Sequence, residues 1–252
     1  MELTQLYLDG YSTTELANLF GVHRTTIQRK IKNQGILLRK KTPTSKYNIH
    51  TFSNINVHTC YWAGFIAADG CIRSDRNTVS MHLGIKDLNH LEKFKSYINL
   101  SSNIEIFNNS CRICISGKWF VEDLQHNFNI TPVKSLTYIP PTLPKKLERH
   151  FWRGYFDGDG SVTKTSVPSM SVLGTKNTCL MFNNYISTLG IKLKSKNTTS
   201  PIVPAGNAFQ ISYSGKNAYI ILHDMYHNSD FYLDRKKEKF EELFKKYTSQ
   251  QE

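Results

Sequence analysis

The 252-residue chain has no long hydrophobic run and few acids, and its 8 prolines and 14 glycines are too few for a low-complexity segment. No stretch approaches the roughly 20 apolar residues that a membrane helix needs. The opening "MELTQLYLDG" lacks the basic and apolar regions of a secretion signal. The expectation is a protein that is not secreted, and is cytoplasmic (bacterial or phage-encoded) or organellar. Five cysteines at irregular spacing fit a reducing compartment. Cys111 and Cys114 form a CxxC, but no second pair follows at zinc-ribbon spacing, so they read as alternating strand residues. Against 20 Asp and Glu stand 32 Lys and Arg, a formal net charge of +12. Such an excess implies a polyanionic partner. No basic amphipathic helix favours a membrane surface, so double-stranded DNA is the expected partner and a membrane is not. A hydrophobic fraction of 39%, with 12% aromatic, supports a folded core.

The first fifty residues hold eight Lys or Arg and three acids. Within them, "STTELANLFGVHRTTIQRKIKNQGI" has the local grammar of two short helices. Ser12 or Thr13 can cap the first, with Glu15 three positions after Ser12. Leu16, Ala17, Leu19 and Phe20 supply its apolar face, and Gly21 ends it in a tight turn. Val22 is expected to pack back. A second helix from about His23 to Lys32 buries Ile27 and Ile31 and leaves Arg24, Thr25, Thr26, Gln28, Arg29 and Lys30 on its polar side. The pattern predicts a small all-α helix-turn-helix over residues 1–38, whose second helix would enter a major groove. The alternative is a helical hairpin with a solvated basic face. Residues 39–57 read as a basic linker, in which Arg39 and Lys40 could follow phosphates.

The remainder repeats itself. "YWAGFIAADGCI" (61–72) resembles "FWRGYFDGDGSV" (151–162), and "LGIKDL" (83–88) resembles "LGTKNT" (173–178), both at an offset of 90. "ISGKWFVEDL" (115–124) resembles "YSGKNAYIIL" (213–222) at an offset of 98. Three matches in one order imply duplication. Each copy reads as αββαββα, giving half-domains at 58–143 and 144–245 related by a pseudo-twofold axis and a fold of the α+β class. In the second copy the later strands are expected near 191–198 and 208–214, with a long loop at 197–208.

Gly64 and Ala68 are four apart in one helix, as are Gly154 and Gly158 in the other. Small residues at that spacing let two helix backbones approach closely, so these four are expected to form a helix–helix interface. Trp62, Trp152, Phe65, Ile66, Tyr155 and Phe156 would cover its flanks. Asp69 and Asp159 would then emerge side by side at helix C-termini, where the dipole and mutual repulsion disfavour them. Compensation by a divalent cation shared with phosphate oxygens fits that arrangement. The simpler reading of each DG is a helix stop. An EF-hand at 157–168 fails, with Val162 where glycine is needed and Pro168 where glutamate is needed.

"WAGFIAADG" and "WRGYFDGDG" resemble the two copies of the motif that names the LAGLIDADG homing endonucleases. About 58–242, including "YLDRKKEKF" (232–240), is similar to their single-chain, two-motif form. The resemblance implies two four-stranded sheets forming a saddle over a long DNA site. It implies a monomeric, site-specific double-strand endonuclease using Mg2+ or Mn2+ and promoting intron or free-standing mobility. Asp69 and Asp159 would bind the metal, with backbone carbonyls of Ala68 and Gly158 as further candidates. Lys118 and Lys216, in the two SGK repeats, match the place of an active-site lysine; from the residues alone each is equally a phosphate contact. The chain departs from the pattern at Ala67, where the first acid is missing, and at Arg153, where a small residue is usual and a looser helix contact is expected. Arg73, Ser74, Arg76, Lys86 and Arg112 in the first half are the candidate DNA-facing residues. Lys164, Lys176, Lys192, Lys194, Lys196 and Gln210 are those in the second. Arg235–Lys237 and Lys245–Lys246 read as solvated helix ends. A non-cleaving DNA-binding regulator and an RNA-splicing maturase are the competing readings on the same scaffold.

Overall fold

A computed structural model describes residues 3–9, 11, 13–38, 46–163, 169–191 and 202–248. The chain divides into two compact units, residues 1–44 and 45–252.

The first unit contains three short helices, α1 (Leu3–Leu8), α2 (Thr13–Leu19) and α3 (Arg24–Asn33). Its core is Leu6, Tyr7, Leu16, Ala17, Ile27 and Ile31. Gly21 takes a φ of +61° in the turn between α2 and α3, a conformation that suits glycine. His23 caps α3, its ring accepting from Thr25 N at 3.4 Å. Leu19, Phe20 and Val22 were expected in the core, yet they are 61%, 41% and 37% exposed. The core is instead completed by α1, which supplies Leu6 and Tyr7 and was not expected as a helix.

The second unit is the α+β body. Its first half runs α4 (Val57–Asp69), β1 (Gly70–Arg73), β2 (Thr78–Gly84), α5 (Leu88–Tyr97), β3 (Glu105–Ile106), β4 (Ser110–Ser116) and α6 (Lys118–Phe128). The second half repeats it as α7 (Lys145–Asp159), β5 (Gly160–Thr163), β6 (Ser169–Gly174), α8 (Lys176–Ser187), β7 (Ile202–Ala205), β8 (Ala208–Ser214) and α9 (Gly215–Tyr226). A final helix, α10, spans Asp234–Thr248. The antiparallel sheets are ordered β1-β2-β4-β3 and β5-β6-β8-β7, so the two halves share one topology. Residues 46–56, inside the expected linker, pack onto the first half: Phe52 is fully buried and Tyr47 OH donates to Ser116 O at 2.9 Å. β7 lies at 202–205, where a long loop was expected, and turns into β8 at Gly206–Asn207.

Each strand puts alternate residues into the core. In β2 and β4, Val79, Met81, Leu83, Cys111, Ile113 and Ile115 are buried, and the residues between them face outward. Cys111 and Cys114 therefore lie on opposite faces of one strand. α4 is buried on nearly all sides, with residues 59–67 inside the core. Asn56 caps it: the side chain accepts from His58 N and Thr59 N, and Asn56 N donates to Thr59 Oγ1.

The two halves differ by one residue in strand register. Gly70 pairs with Met81, whereas Gly160 pairs with Val172. Leu173, which the sequence repeat aligns with the buried Leu83, therefore stands structurally where His82 stands and faces outward.

Candidate catalytic centre and nucleic-acid interface

α4 and α7 pack through their small residues. A methyl placed on Gly64 would lie 2.1 Å from Phe151 O, and one on Gly154 would lie 1.9 Å from Tyr61 O. Only glycine permits that backbone approach. A methyl on Gly158 would meet Ala68 Cβ at 2.3 Å and Asp69 Oδ2 at 3.3 Å. The Asp69 carboxylate thus reaches across to the partner helix, one residue from Asp159.

Gly70 and Gly160 let each helix run directly into a strand. A side chain at either would strike the carbonyl four residues back, Ile66 O at 2.5 Å or Phe156 O at 2.4 Å. The aspartate before each glycine is consequently fixed at the junction of helix end and sheet edge. Burial raises the pKa of both carboxyls above the ordinary value, and that of Asp159, with Asp69 as an added like charge, is pushed up to about 6.

Two buried lysines complete the centre. Lys134 Nζ donates to Ala67 O at 2.5 Å and Ala68 O at 3.1 Å. Lys236 Nζ donates to Phe156 O, Asp157 O and Gly158 O at 2.5, 2.7 and 3.2 Å. Each ammonium caps the C-terminal carbonyls of one motif helix, where the macrodipole favours a cation. Both act on the Asp69 and Asp159 carboxyls as opposing charges. Burial lowers the pKa of Lys134, and that of Lys236 falls to about 8. Sequence reasoning missed Lys134 and placed Lys236 on a solvated helix end; it is 3% exposed because the chain before α10 folds over the end of α7. The carbonyls of Ala68 and Gly158, named as metal-ligand candidates, each accept from one of these ammonium groups.

The register places Lys118 and Lys216 elsewhere. Asp69 adjoins Gly70, which pairs with Met81 and thence Ile113, while Lys118 follows the opposite end of β4. At about 3.4 Å per residue, the five positions from Ile113 to Lys118 span on the order of 15 Å along the strand direction. Lys216 follows β8 in the same way. Both are exposed, and Lys118 pairs with Glu122 at 3.5 Å. Gly117 explains the first SGK: a side chain there would strike Tyr47 OH at 1.8 Å.

Arg153 tightens the helix contact that it was expected to loosen. It is 1% exposed and donates to Phe231 O at 2.8 Å and Met225 O at 2.9 Å, with its guanidinium 5.1 Å from the Tyr61 ring centre. Asp157 is also fully buried. It accepts from Tyr61 OH at 2.7 Å, Leu233 N at 2.8 Å and Tyr226 OH. Both are structural groups that bind the chain before α10 to the helix pair.

Among the other candidates, Arg73 and Arg112 face outward from the first sheet. Arg73 pairs with Asp75 at 3.2 Å, Arg76 pairs with the same carboxylate at 3.5 Å, and Arg112 pairs with Glu105. Lys86 and Lys176 are exposed beside the starts of α5 and α8, and Gln210 lies on the outward face of β8. In α3, Arg29 and Lys30 are exposed, whereas Arg24 is half-buried and donates to Thr13 Oγ1 at 3.1 Å. Thr25 is exposed, and Thr26 and Gln28 are half-buried. Arg39, Lys40, Lys164, Lys192, Lys194, Lys196 and the Ser74 side chain lie outside the described residues.

Among the described residues no three His, Cys, Asp or Glu side chains cluster as a metal site, and no helix is long and apolar enough to cross a membrane. The donor set nevertheless fits a hard divalent cation: two carboxylates converge there, and the Asp69 charge raises the proton affinity of Asp159.

Residues 146–201 match the family model of the LAGLIDADG-like domain. No curated protein sequence matches the chain. Among solved structures, it is similar to the LAGLIDADG homing endonuclease I-GzeII in complex with its DNA target, at 15% identity and a TM-score of 0.52, covering 79% of this chain and 92% of that one. The LAGLIDADG meganuclease I-CpaMI bound to uncleaved DNA is 12% identical, with a TM-score of 0.52 over 78% of this chain and 93% of that one. The I-LtrWI LAGLIDADG homing endonuclease bound to target DNA is 11% identical, with a TM-score of 0.50 over 77% and 92%. At these identities the likeness is one of fold.

Proposed function

We propose that this chain, which carries a LAGLIDADG-like domain on the single-chain, two-domain fold of the LAGLIDADG homing endonucleases, is a site-specific, metal-dependent double-strand DNA endonuclease. The observation that carries the reading is the pairing of Asp69 and Asp159 at adjoining helix ends, with Lys134 and Lys236 against the same two helix termini.

In this reading Asp69 and Asp159 hold Mg2+ or Mn2+. When bound, the metal neutralises phosphate charge and promotes ionisation of the attacking water. The protein's own part is largely positioning. The α4–α7 contact fixes the distance between the two carboxylates, and so between the two scissile phosphates. Lys134 and Lys236 hold positive charge beside the place where negative charge develops on phosphorus oxygens. Because both halves belong to one chain, the enzyme works as a monomer. The outward faces of the sheets lie along the duplex, and the first unit adds contacts through α3, with Thr25, Gln28, Arg29 and Lys30 toward a major groove. Mobility of an intron or a free-standing gene is the biological role that fits such an activity.

The test is incubation of purified protein with a randomised duplex library and Mg2+, beside Asp69→Asn and Asp159→Asn. Sequenced ends that cluster at one long site, absent with both variants, support the endonuclease. Saturable duplex binding without cleavage under any divalent metal leaves the regulator, and assistance to splicing of a structured RNA would make the protein a maturase.

A further inference from the structure

The two half-sites beside the carboxylates are chemically unlike, through the one-residue register difference that brings Leu173 opposite His82 and through the different residues at Gln210 and Val203. In the first sheet the outward row level with Asp69 is His82, Arg112 and Glu105, joined by the pairings His82↔Arg112 and Glu105↔Arg112. The row is polar and ionic: Arg112 Nε donates to Glu105 Oε2 at 2.9 Å, and His82 Nε2 lies 2.9 Å from Ser110 Oγ. In the second sheet the row level with Asp159 is Leu173, Gln210 and Val203, by the pairings Leu173↔Gln210 and Val203↔Gln210. Leu173 and Val203 are 40% and 49% exposed.

The asymmetry continues beyond the sheets. Leu136, 65% exposed, lines a cavity of about 330 Å³ with Leu173, Ala208, Lys134 and Asp159. The apolar wall therefore reaches the carboxylate itself. In the first half, Arg235 from the segment that carries Lys236 binds Asp87 at 2.9 Å. The matching neighbour of Lys134 is Val133, 87% exposed. An ionic flank thus faces an apolar one across the helix pair.

Resting on the DNA-binding part of the reading above, we propose that the Arg112–Glu105 row selects a G·C pair and the Leu173–Gln210–Val203 row selects A·T pairs at the equivalent place in the other half of the target. The Arg112–Glu105 pair presents a fork of donors beside an acceptor, the complement of guanine O6 and N7 with cytosine N4 in the major groove. Gln210 offers its amide to adenine N6 and N7, and Leu173 and Val203 bracket it with apolar surface suited to the thymine methyl. The first half takes a G·C pair and the second takes A·T pairs at the same distance from the pseudo-dyad.

The test selects randomised duplexes by binding to the wild-type protein in EDTA, then sequences those retained. The expected site has G·C at one flank and A·T at the other, equidistant from its centre. Arg112→Ala should relax only the G·C position, and Leu173→Ser only the A·T position. Deoxyuridine in place of thymidine should weaken binding about fourfold per methyl removed, and 7-deazaguanine about tenfold, each at its own flank. A site palindromic at these positions, no response to deoxyuridine, or no enriched sequence overturns the proposal. An enriched asymmetric site that Mg2+ does not cause to be cut retains the proposal and removes the nuclease. Cleavage of a site palindromic at these positions does the reverse.

Discussion

Replacing Asp159 by asparagine should stabilise the metal-free protein while abolishing its use of metal. Burial and the Asp69 charge push the Asp159 carboxyl up to about 6, against an ordinary value of 3.8. Below pH 4 the acid is protonated in both folded and unfolded chains, and no penalty exists. Between pH 4 and 6 the unfolded chain gives up its proton while the folded one keeps it, so stability falls as pH rises. Above pH 6 the penalty is complete, at about 1.4 kcal/mol per pKa unit, or on the order of 3 kcal/mol. For a body of this size, about 2–4 °C per kcal/mol places Asp159→Asn roughly 6–12 °C above wild type at pH 7.5 in EDTA. The gap should close by pH 4. Mg2+ should then raise the melting temperature of the wild type and not of the variant, because only the wild type presents both carboxylates. Thermal melts of the two proteins over pH 4–8, with and without Mg2+, check each part. A variant no more stable than wild type at pH 7.5 in EDTA would refute the electrostatic account of the centre.

Three further predictions follow from the geometry. Lys134→Met or Lys236→Met should lower the single-turnover cleavage rate by on the order of 100-fold with duplex affinity little changed, whereas Lys118→Ala and Lys216→Ala should cleave near the wild-type rate. Gly154→Ala, whose methyl would lie 1.9 Å from Tyr61 O, should separate α4 from α7 and destabilise the body by about 3 kcal/mol or more in urea unfolding. Arg153→Met should cost roughly 2–4 kcal/mol in the same assay, because the carbonyls of Phe231 and Met225 lose their donors inside the protein.

The helix pair and its carboxylates were legible because close helix packing writes itself locally. Gly64, Gly154 and Gly158 are spaced by the helix turn, and a strand can leave at Gly70 or Gly160 only without a side chain. Strand alternation in "TVSMHLG" and "CRICISG" likewise gave the first sheet. The lysines were not legible. Lys134 and Lys236 lie in polar text among other basic residues, and their burial is created by chain segments returning over distant helix ends. One signal was available: each lies in the segment that follows the last helix of its half, after α6 and after α9. The SGK repeat drew attention away from them, although it marks a strand-to-helix turn at Gly117 and Gly215. The register of the second sheet was also hidden. The LG pairs at 83–84 and 173–174 align well as text, but Leu83 is 8% exposed and Leu173 is 40%. A one-residue slip turns a strand's side chains to the other face, and similarity alone does not report it.

Having both halves in one chain is what allows the centre to be asymmetric. Ala63 and Ala67 on α4 correspond to Arg153 and Asp157 on α7. In a symmetric homodimer every such choice would be made twice. Two buried guanidiniums and two more carboxylates would then stand in the same helix pair, each needing its own buried partners. Here one Asp157 draws together Tyr61 from the first half with Tyr226 and Leu233 from the second. The same segment continues to Arg235, which binds Asp87 of the first half, and Lys236, which caps α7. One buried acid thereby links the packing of the halves to the placement of one lysine, while Lys134 receives its place from the connector between the halves. Duplication within a chain frees the two halves to diverge in charge and surface while α4 and α7 hold their carboxylates together.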